Sequence, residues 1–156
     1  MLVLKRRAGI AAWQHILPLE VLQGLGMPDR WAGAVRAPGS RTSALVAELD
    51  GAVAGFAITR ASDDADAGPE TGELDGLYTD PDAWGRGAGR ALMDAAVGAL
   101  ADAGFAVATL WTAMENHRPR AIYERAGWQT DGVVRRRVIG GTEFEEVRYR
   151  RSLRGD

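Results

Sequence analysis

The chain contains no cysteine, which removes disulfides, thiolate nucleophiles and zinc–cysteine centres from consideration. It has a single lysine, Lys5, so most lysine-based chemistry is excluded and anions fall to arginine side chains and backbone amides. Neither sign of charge is in excess, since 19 basic and 21 acidic residues give a formal net charge of −2. The charges are interspersed, without the basic stripe of a nucleic-acid-binding domain. No apolar run approaches a membrane span, and the apolar part of "MLVLKRRAG" is too short for a secretory signal. A cytoplasmic protein is the default expectation. Internal repeats, low-complexity tracts and linkers are also missing, so residues 1–156 are read as one domain, long enough for a proper core.

Glycine, in contrast, is plentiful. "RRAGIAAWQHILPLEVLQGLG" reads as helical pieces broken at Pro18 and ended by Gly24 and Gly26. "SALVAELDGAVAGFAITR" reads as a hairpin about Asp50-Gly51, a dipeptide that tolerates positive φ. An acidic loop, "ASDDADAGPETG", leads to a strand from about Glu73 to Thr79, stopped by Pro81. A helix runs from Gly87 to about Ala103, with Leu92, Ala95, Ala96, Ala99, Leu100 and Ala103 on one face. The strand "FAVATLW" follows, then a short helix from about Arg118 to Ala126, with Pro119 in its first turn and Gly127 at its end. "WQTDGVVRRRVIGGTEFEEVRYRRSL" closes as a hairpin about Gly140-Gly141. Strand, glycine turn, helix and strand make a right-handed crossover between parallel strands inside an otherwise antiparallel sheet. The class is α+β, or mixed α/β.

The glycine turn is "WGRGAGR", with Gly85, Gly87 and Gly89 beside Ala88, Arg86 and Arg90. The first N–H groups of a helix lack internal partners and carry the positive end of its dipole. Left uncovered, they suit a phosphate or pyrophosphate, and the two arginines would add charge at the rim. A tight packing turn is the other reading. Nucleotide motifs fit poorly. The loop G-x-x-x-x-G-K-[S/T] needs a lysine this segment lacks, and G-x-G-x-x-G fails at Arg90 or at Leu92, depending on its start.

The segment resembles the pyrophosphate-binding motif Q/R-x-x-G-x-G/A of the GNAT superfamily of acyl-CoA-dependent N-acyltransferases, with Trp84 departing from its first position. Upstream, "GELDGLYTDP" resembles the superfamily's central strand, with Thr79 replacing a usual valine. Downstream, "ENHRPRAIYERAGW" resembles N-x-x-A-x-x-x-Y-E-x-x-G-F, with Pro119 and Trp128 as the departures. The resemblance covers about residues 43 to 151. "WQHILPLEVLQGLG" resembles the first-helix region, where the opening strand is expected to be shortened to "LVL".

The resemblance implies acetyl-CoA as co-substrate, with no metal. Its pyrophosphate would lie on Gly85, Arg86, Gly87, Ala88, Gly89 and Arg90. Its pantetheine arm would pair with the backbone of Leu77, Tyr78 and Thr79 as an added strand between two splayed strands. Gly76 is where a bulge would start that splay, or else a small residue under a bulky neighbour. The acceptor would be a primary amine of a small molecule, an amino acid or a protein N-terminus.

An alkyl ammonium titrates near 10, so a base is needed before attack, and the leaving thiolate needs a proton. Tyr123, matching the motif's tyrosine, is the candidate acid, with a core tyrosine as the bland alternative. Glu73, eleven positions before Trp84, the spacing at which some members of that superfamily carry a catalytic glutamate, is by this resemblance the candidate base, directly or through water, with a solvated strand-entrance glutamate as its alternative. A strand amide, that of Tyr78, is the candidate oxyanion donor. Asn116 would bind the arm or a water, or cap the following helix.

Other features weigh less. His15 and His117 read as surface or packing residues. Asp63, Asp64, Asp66 and Glu70 read as a solvated loop more than a lure for cations. Arg135, Arg136 and Arg137 face "EFEE" across the hairpin, so cross-strand pairing accounts for them. Trp13 and Trp31 lie where an acceptor pocket is expected, whereas Trp111 and Trp128 read as core. A non-catalytic acyl-CoA-binding module would need neither Glu73 nor Tyr123. A transferase of another acyl group is not distinguished by any residue, and a homodimer has no signal for or against it.

Overall fold

Two turns that need positive φ set the hairpins at the ends of the sheet. Asp50 and Gly51 have φ of 52° and 77°, and Gly140 and Gly141 have φ of 57° and 78°. The computed structural model describes residues 1–155. Six strands, β1 (Ser43–Leu49), β2 (Ala52–Ala61), β3 (Thr71–Thr79), β4 (Val107–Ala113), β5 (Gln129–Ile139) and β6 (Thr142–Ser152), form one sheet in the order β1-β2-β3-β4-β6-β5. Only β3 and β4 run parallel, which is the α+β arrangement the crossover predicts. The helices are α1 (Leu2–Trp13), α2 (Leu19–Gly24), α3 (Asp29–Arg36), α4 (Ala88–Asp102) and α5 (His117–Arg125). No helix among the described residues is long and apolar enough to cross a membrane.

Strand alternation divides the core between the two faces of the sheet. Ala57 and Leu74 pack under α4 with Leu92, Met93, Ala96 and Leu100. Phe56 and Ile58 point the other way, to Leu4 of α1 and Trp31 and Ala34 of α3. The predicted face of α4 is right at Leu92, Ala96 and Leu100, which are buried; Met93 joins them, whereas Ala95 is exposed. Each fully buried leucine here contributes roughly 1.5–3 kcal/mol. Gly104 (φ 86°) and Gly127 (φ 87°) follow the ends of α4 and α5.

Leu2, Val3 and Leu4 differ from expectation, for they form the first turn of α1 rather than a strand. The run of leucine, lysine, arginine and alanine favours helix, and Leu4 gains burial against Trp31 and Phe56. In the acidic loop Asp64 departs from the solvated reading, whereas Asp63, Asp66 and Glu70 stay exposed. Arg148 is 3% exposed and binds Asp64 at 3.1 Å, Asp66 at 2.7 Å and Asp131 at 2.8 Å. A buried guanidinium requires such company, and its hydrogen bond holds the Asp66 carboxyl down at about 2. The Arg135–Arg137 run pairs across the hairpin as predicted: Arg135 meets Glu146 at 2.8 Å and Arg136 meets Glu143 at 2.8 Å.

Candidate active site

The site begins where the parallel pair fails. β3 and β4 are in register only at Thr71–Val107, Gly72–Ala108 and Glu73–Thr109. Beyond Glu73 they separate, because β3 carries one surplus residue. Its register with β2 passes from Thr59–Leu74 to Ile58–Gly76, leaving Asp75 unpaired as a bulge. Asp75 and Gly76 therefore both face α3. The Asp75 carboxylate accepts from Trp31 Nε1 at 2.6 Å and from Arg30 Nε at 2.6 Å. A Cβ on Gly76 would stand 2.6 Å from the Trp31 ring. Bulge site and covered small residue are thus both true of Gly76.

The splay opens a cleft of about 420 Å³ between Leu74–Thr79 and Leu110–Thr112, closed on the α5 side by Asn116, Ile122 and Tyr123. In the ladder with β2, Asp80 N–H donates to Ala54 O at 2.8 Å. Antiparallel pairing alternates, so Tyr78 also presents its N–H and C=O to β2. Leu77 and Thr79 present theirs to the cleft. The oxyanion role expected of the Tyr78 amide therefore conflicts with the ladder, and the free strand amides are its neighbours'.

Beside the cleft, with Gly89 against Thr79 of its wall, stands the start of α4. Its N-cap Gly87 has φ 90° and no capping side chain, and Gly85 has φ 74°. Among the described residues, the N–H groups of Gly87, Ala88, Gly89 and Arg90 have no acceptor. A Cβ at Gly85 or Gly87 would meet nothing within 4 Å, so positive φ rather than crowding demands glycine there. The amides are bare and open, a geometry able to take an anion. Arg90 is exposed, whereas Arg86 is drawn to Asp50 at 2.6 Å. Trp84, the departure from the motif, braces the turn: its Nε1 donates to Thr79 Oγ1 at 3.1 Å, and Arg118 stacks 3.6 Å over its ring. The sequence reading missed Arg118; an arginine beside the motif's asparagine was its only signal.

Tyr123 is partly buried in the cleft wall, 5.9 Å from the Tyr149 ring. Its hydroxyl has no hydrogen-bond partner among the described residues, and burial pushes its pKa up, Tyr78 and Tyr149 adding to the shift. It stays protonated and able to donate. Asn116 is 4% exposed, and although it sits at the N-cap of α5 its side chain makes no cap bond. It lines the cleft instead, which removes the capping alternative. His15 and His117, set aside on sequence, also line the cleft, and His15 Nε2 lies 3.1 Å from Glu115 O.

A second cavity, of about 280 Å³, shares Leu74, Asp75, Tyr78, Trp13 and Trp111 with the first. Trp31 and Phe144 join its walls, as Glu73 does. Trp111 is thus half-buried between two cavities rather than core, with Arg135 4.1 Å over its ring; Trp128 is core at 1% exposure. Glu73 is 6% exposed and accepts from Arg60 Nη2 at 3.1 Å. Burial outweighs that guanidinium and, with Asp75 nearby, raises the carboxyl to about 7. Arg60 is divided between carboxylates, its Nε 3.1 Å from Asp75 Oδ2 without an aligned hydrogen bond. A carboxyl poised near neutrality and a protonated phenol therefore occupy two cavities with a common wall.

This architecture has relatives. Residues 10–128 match the acetyltransferase (GNAT) family, and the chain belongs to that family. Among curated proteins, mycothiol acetyltransferases are similar. That of Beutenbergia cavernae is 47% identical over 58 residues, 37% of this chain and 20% of the relative. That of Cellulomonas flavigena is 36% identical over 94 residues, 57% of this chain and 27% of the relative. The matched segments thus span about a quarter or less of those relatives. Among solved structures, yncA from Salmonella typhimurium, a putative acetyltransferase with its cofactor acetyl-CoA, aligns with a TM-score of 0.70 at 20% identity. That alignment covers 96% of this chain and 91% of that one.

Proposed function

We propose that the protein is an acetyl-CoA-dependent N-acetyltransferase acting on a primary amine, by direct attack with donor and acceptor bound together. One observation carries the reading: the β3–β4 splay joins a cleft flanked by bare helix amides to a separate cavity holding a near-neutral carboxyl. The donor is a long molecule with a diphosphate at one part and a thioester at its tip. The residues fit it: the amides of Gly87, Ala88, Gly89 and Arg90 suit the diphosphate, with Gly85 and Arg86 shaping the turn. The backbone of Leu77 and Thr79 offers strand-like pairing to the pantetheine arm, Tyr78 fixes their orientation, and Asn116 lies opposite.

The acceptor enters from the second cavity. Glu73, ionised above about pH 7, takes a proton from the ammonium, directly or through water, so that a neutral amine attacks. Tyr123, held protonated by burial, gives its hydroxyl proton to the departing sulfur. The thioester supplies the acetyl group; these residues move the protons and fix the two partners across the shared wall. Family membership and the curated acetyltransferase relatives support the same chemistry.

Release of CoA measured against a panel of amines tests the reading. Turnover dependent on both acetyl-CoA and an amine supports it. Tight acyl-CoA binding without turnover on any amine would replace it with the binding-module alternative, and turnover with succinyl-CoA only would change the donor.

A further inference from the structure

Charge in the second cavity is unbalanced. Five cationic residues, Lys5, Arg6, Arg30, Arg135 and Arg137, line it with three carboxylates, Glu73, Asp75 and Glu146. Each carboxylate is already engaged. Asp75 holds Arg30 and Arg60, Glu73 holds Arg60, and Glu146 holds Arg135 at 2.8 Å and Arg137 at 3.5 Å.

Lys5 has no such partner. It is 9% exposed, yet no ion pair or hydrogen bond reaches its ammonium among the described residues. Its Nζ lies 5.9 Å from the centres of both the Trp31 and the Tyr78 rings, the outer reach of a cation–π contact. Burial, with Arg6 beside it, lowers its pKa, the response expected of a cation that nothing compensates. Its stem is covered, but its Nζ is not closed off from solvent and borders the cavity that Glu73 also lines. A neutral or purely cationic amine would leave that surplus uncompensated, whereas an anionic group on the acceptor would neutralise it.

We infer that the acceptor is an amine that also carries a carboxylate, as an amino acid does, and that Lys5 binds that carboxylate. The inference rests on the acetyltransferase reading for the reaction, but not for the binding. The amine is directed to Glu73, the carboxylate to Lys5, and the intervening apolar part to the aromatic walls of Trp13, Trp31 and Phe144. Lys5 selects the acceptor and takes no part in proton transfer.

The test compares an apolar amino acid with its carboxamide in the wild type, Lys5→Met and Lys5→Arg, after thermal melts confirm that each variant folds. Two readouts are used: CoA release, and calorimetric binding of each compound to the CoA-loaded protein. The amide's lower amine pKa biases turnover towards the amide, and comparing variants cancels that bias. The acid-over-amide ratio should fall about tenfold to a hundredfold in Lys5→Met, as for loss of a charged hydrogen bond, and should persist in Lys5→Arg. An unchanged ratio in Lys5→Met, or no preference for the acid in calorimetric binding to the wild type, overturns the inference. So does mass spectrometry showing that acetyl-CoA acetylates Lys5 itself, because an amide cannot hold a carboxylate. Lys5-dependent acid binding without any turnover would sink the transferase reading alone; turnover blind to the carboxylate would sink this inference alone.

Discussion

The two cavities are made in different ways. The polar recognition offered by the long cleft and the turn beside it comes largely from backbone: the exposed edge of β3 at Leu77 and Thr79, and the uncapped amides that begin α4. Its special residues lie within short stretches of chain. The second cavity is built from side chains that meet across long separations: Trp31 on Asp75, Arg60 on Glu73, Arg135 over Trp111. A backbone site recognises what many donors share, whereas a side-chain site is free to change with the acceptor. Substitutions in the two regions should therefore separate donor binding from acceptor handling.

Gly87→Glu should have the largest effect. The φ of 90° strains any side chain by roughly 1–2 kcal/mol, and a carboxylate beside the bare amides competes with and repels a diphosphate. Calorimetry is expected to show no measurable CoA binding, a loss beyond about 10⁴-fold; unchanged affinity would dissolve the distinction between the regions. Tyr123→Phe comes next, lowering kcat by about 10²–10⁴-fold, the range of acid–base roles, while CoA affinity stays within about twofold. Wild-type turnover would remove the phenol from the mechanism.

Glu73→Gln should cost somewhat less, about 10–10²-fold in kcat/KM, since water can share the proton. In the wild type kcat/KM should rise with pH through about 7 as the carboxylate forms, and the variant should lose that limb. A limb that survives assigns it to another group. Gly76→Ala sharpens the comparison most finely. Its methyl would press on Trp31 at 2.6 Å, an overpacking cost of about 1–3 kcal/mol, read as a fall of several degrees in Tm. Acceptor KM should rise with little change in CoA affinity. If CoA affinity falls as much as acceptor KM rises, the two regions are mechanically one.

What could be read from the sequence follows the same division. The hairpin at Asp50-Gly51, the turn at Gly85–Gly89 and the helix of Tyr123 were legible because each depends on local φ or on a short motif. Glu73 could be singled out through the resemblance, but its raised pKa could not, since the burial that raises it, against the pull of Arg60, comes from elements packed around it. Lys5 was set aside, with anions assigned to arginines and backbone amides, because nothing local distinguishes a lysine that becomes covered from one that stays in water; Asp75 and Arg118 escaped notice for the same reason. Trp111 was misread for a related reason: apolar periodicity on β4 marks a side chain as inward-facing, and the inside here is hollow. Asp64 looked solvated because its counter-charge, Arg148, lies more than eighty positions away.

The surplus residue at Asp75 has one further consequence. Removing it would restore an unbroken ladder between β2 and β3 with Glu73 still on the side of α3, and would take away the kink that keeps β4 from pairing with its neighbour along its whole length. The opening between the two parallel strands would then close like a healed seam. In this chain a single amino acid of slack separates a sheet that only holds itself together from one with room for two guests.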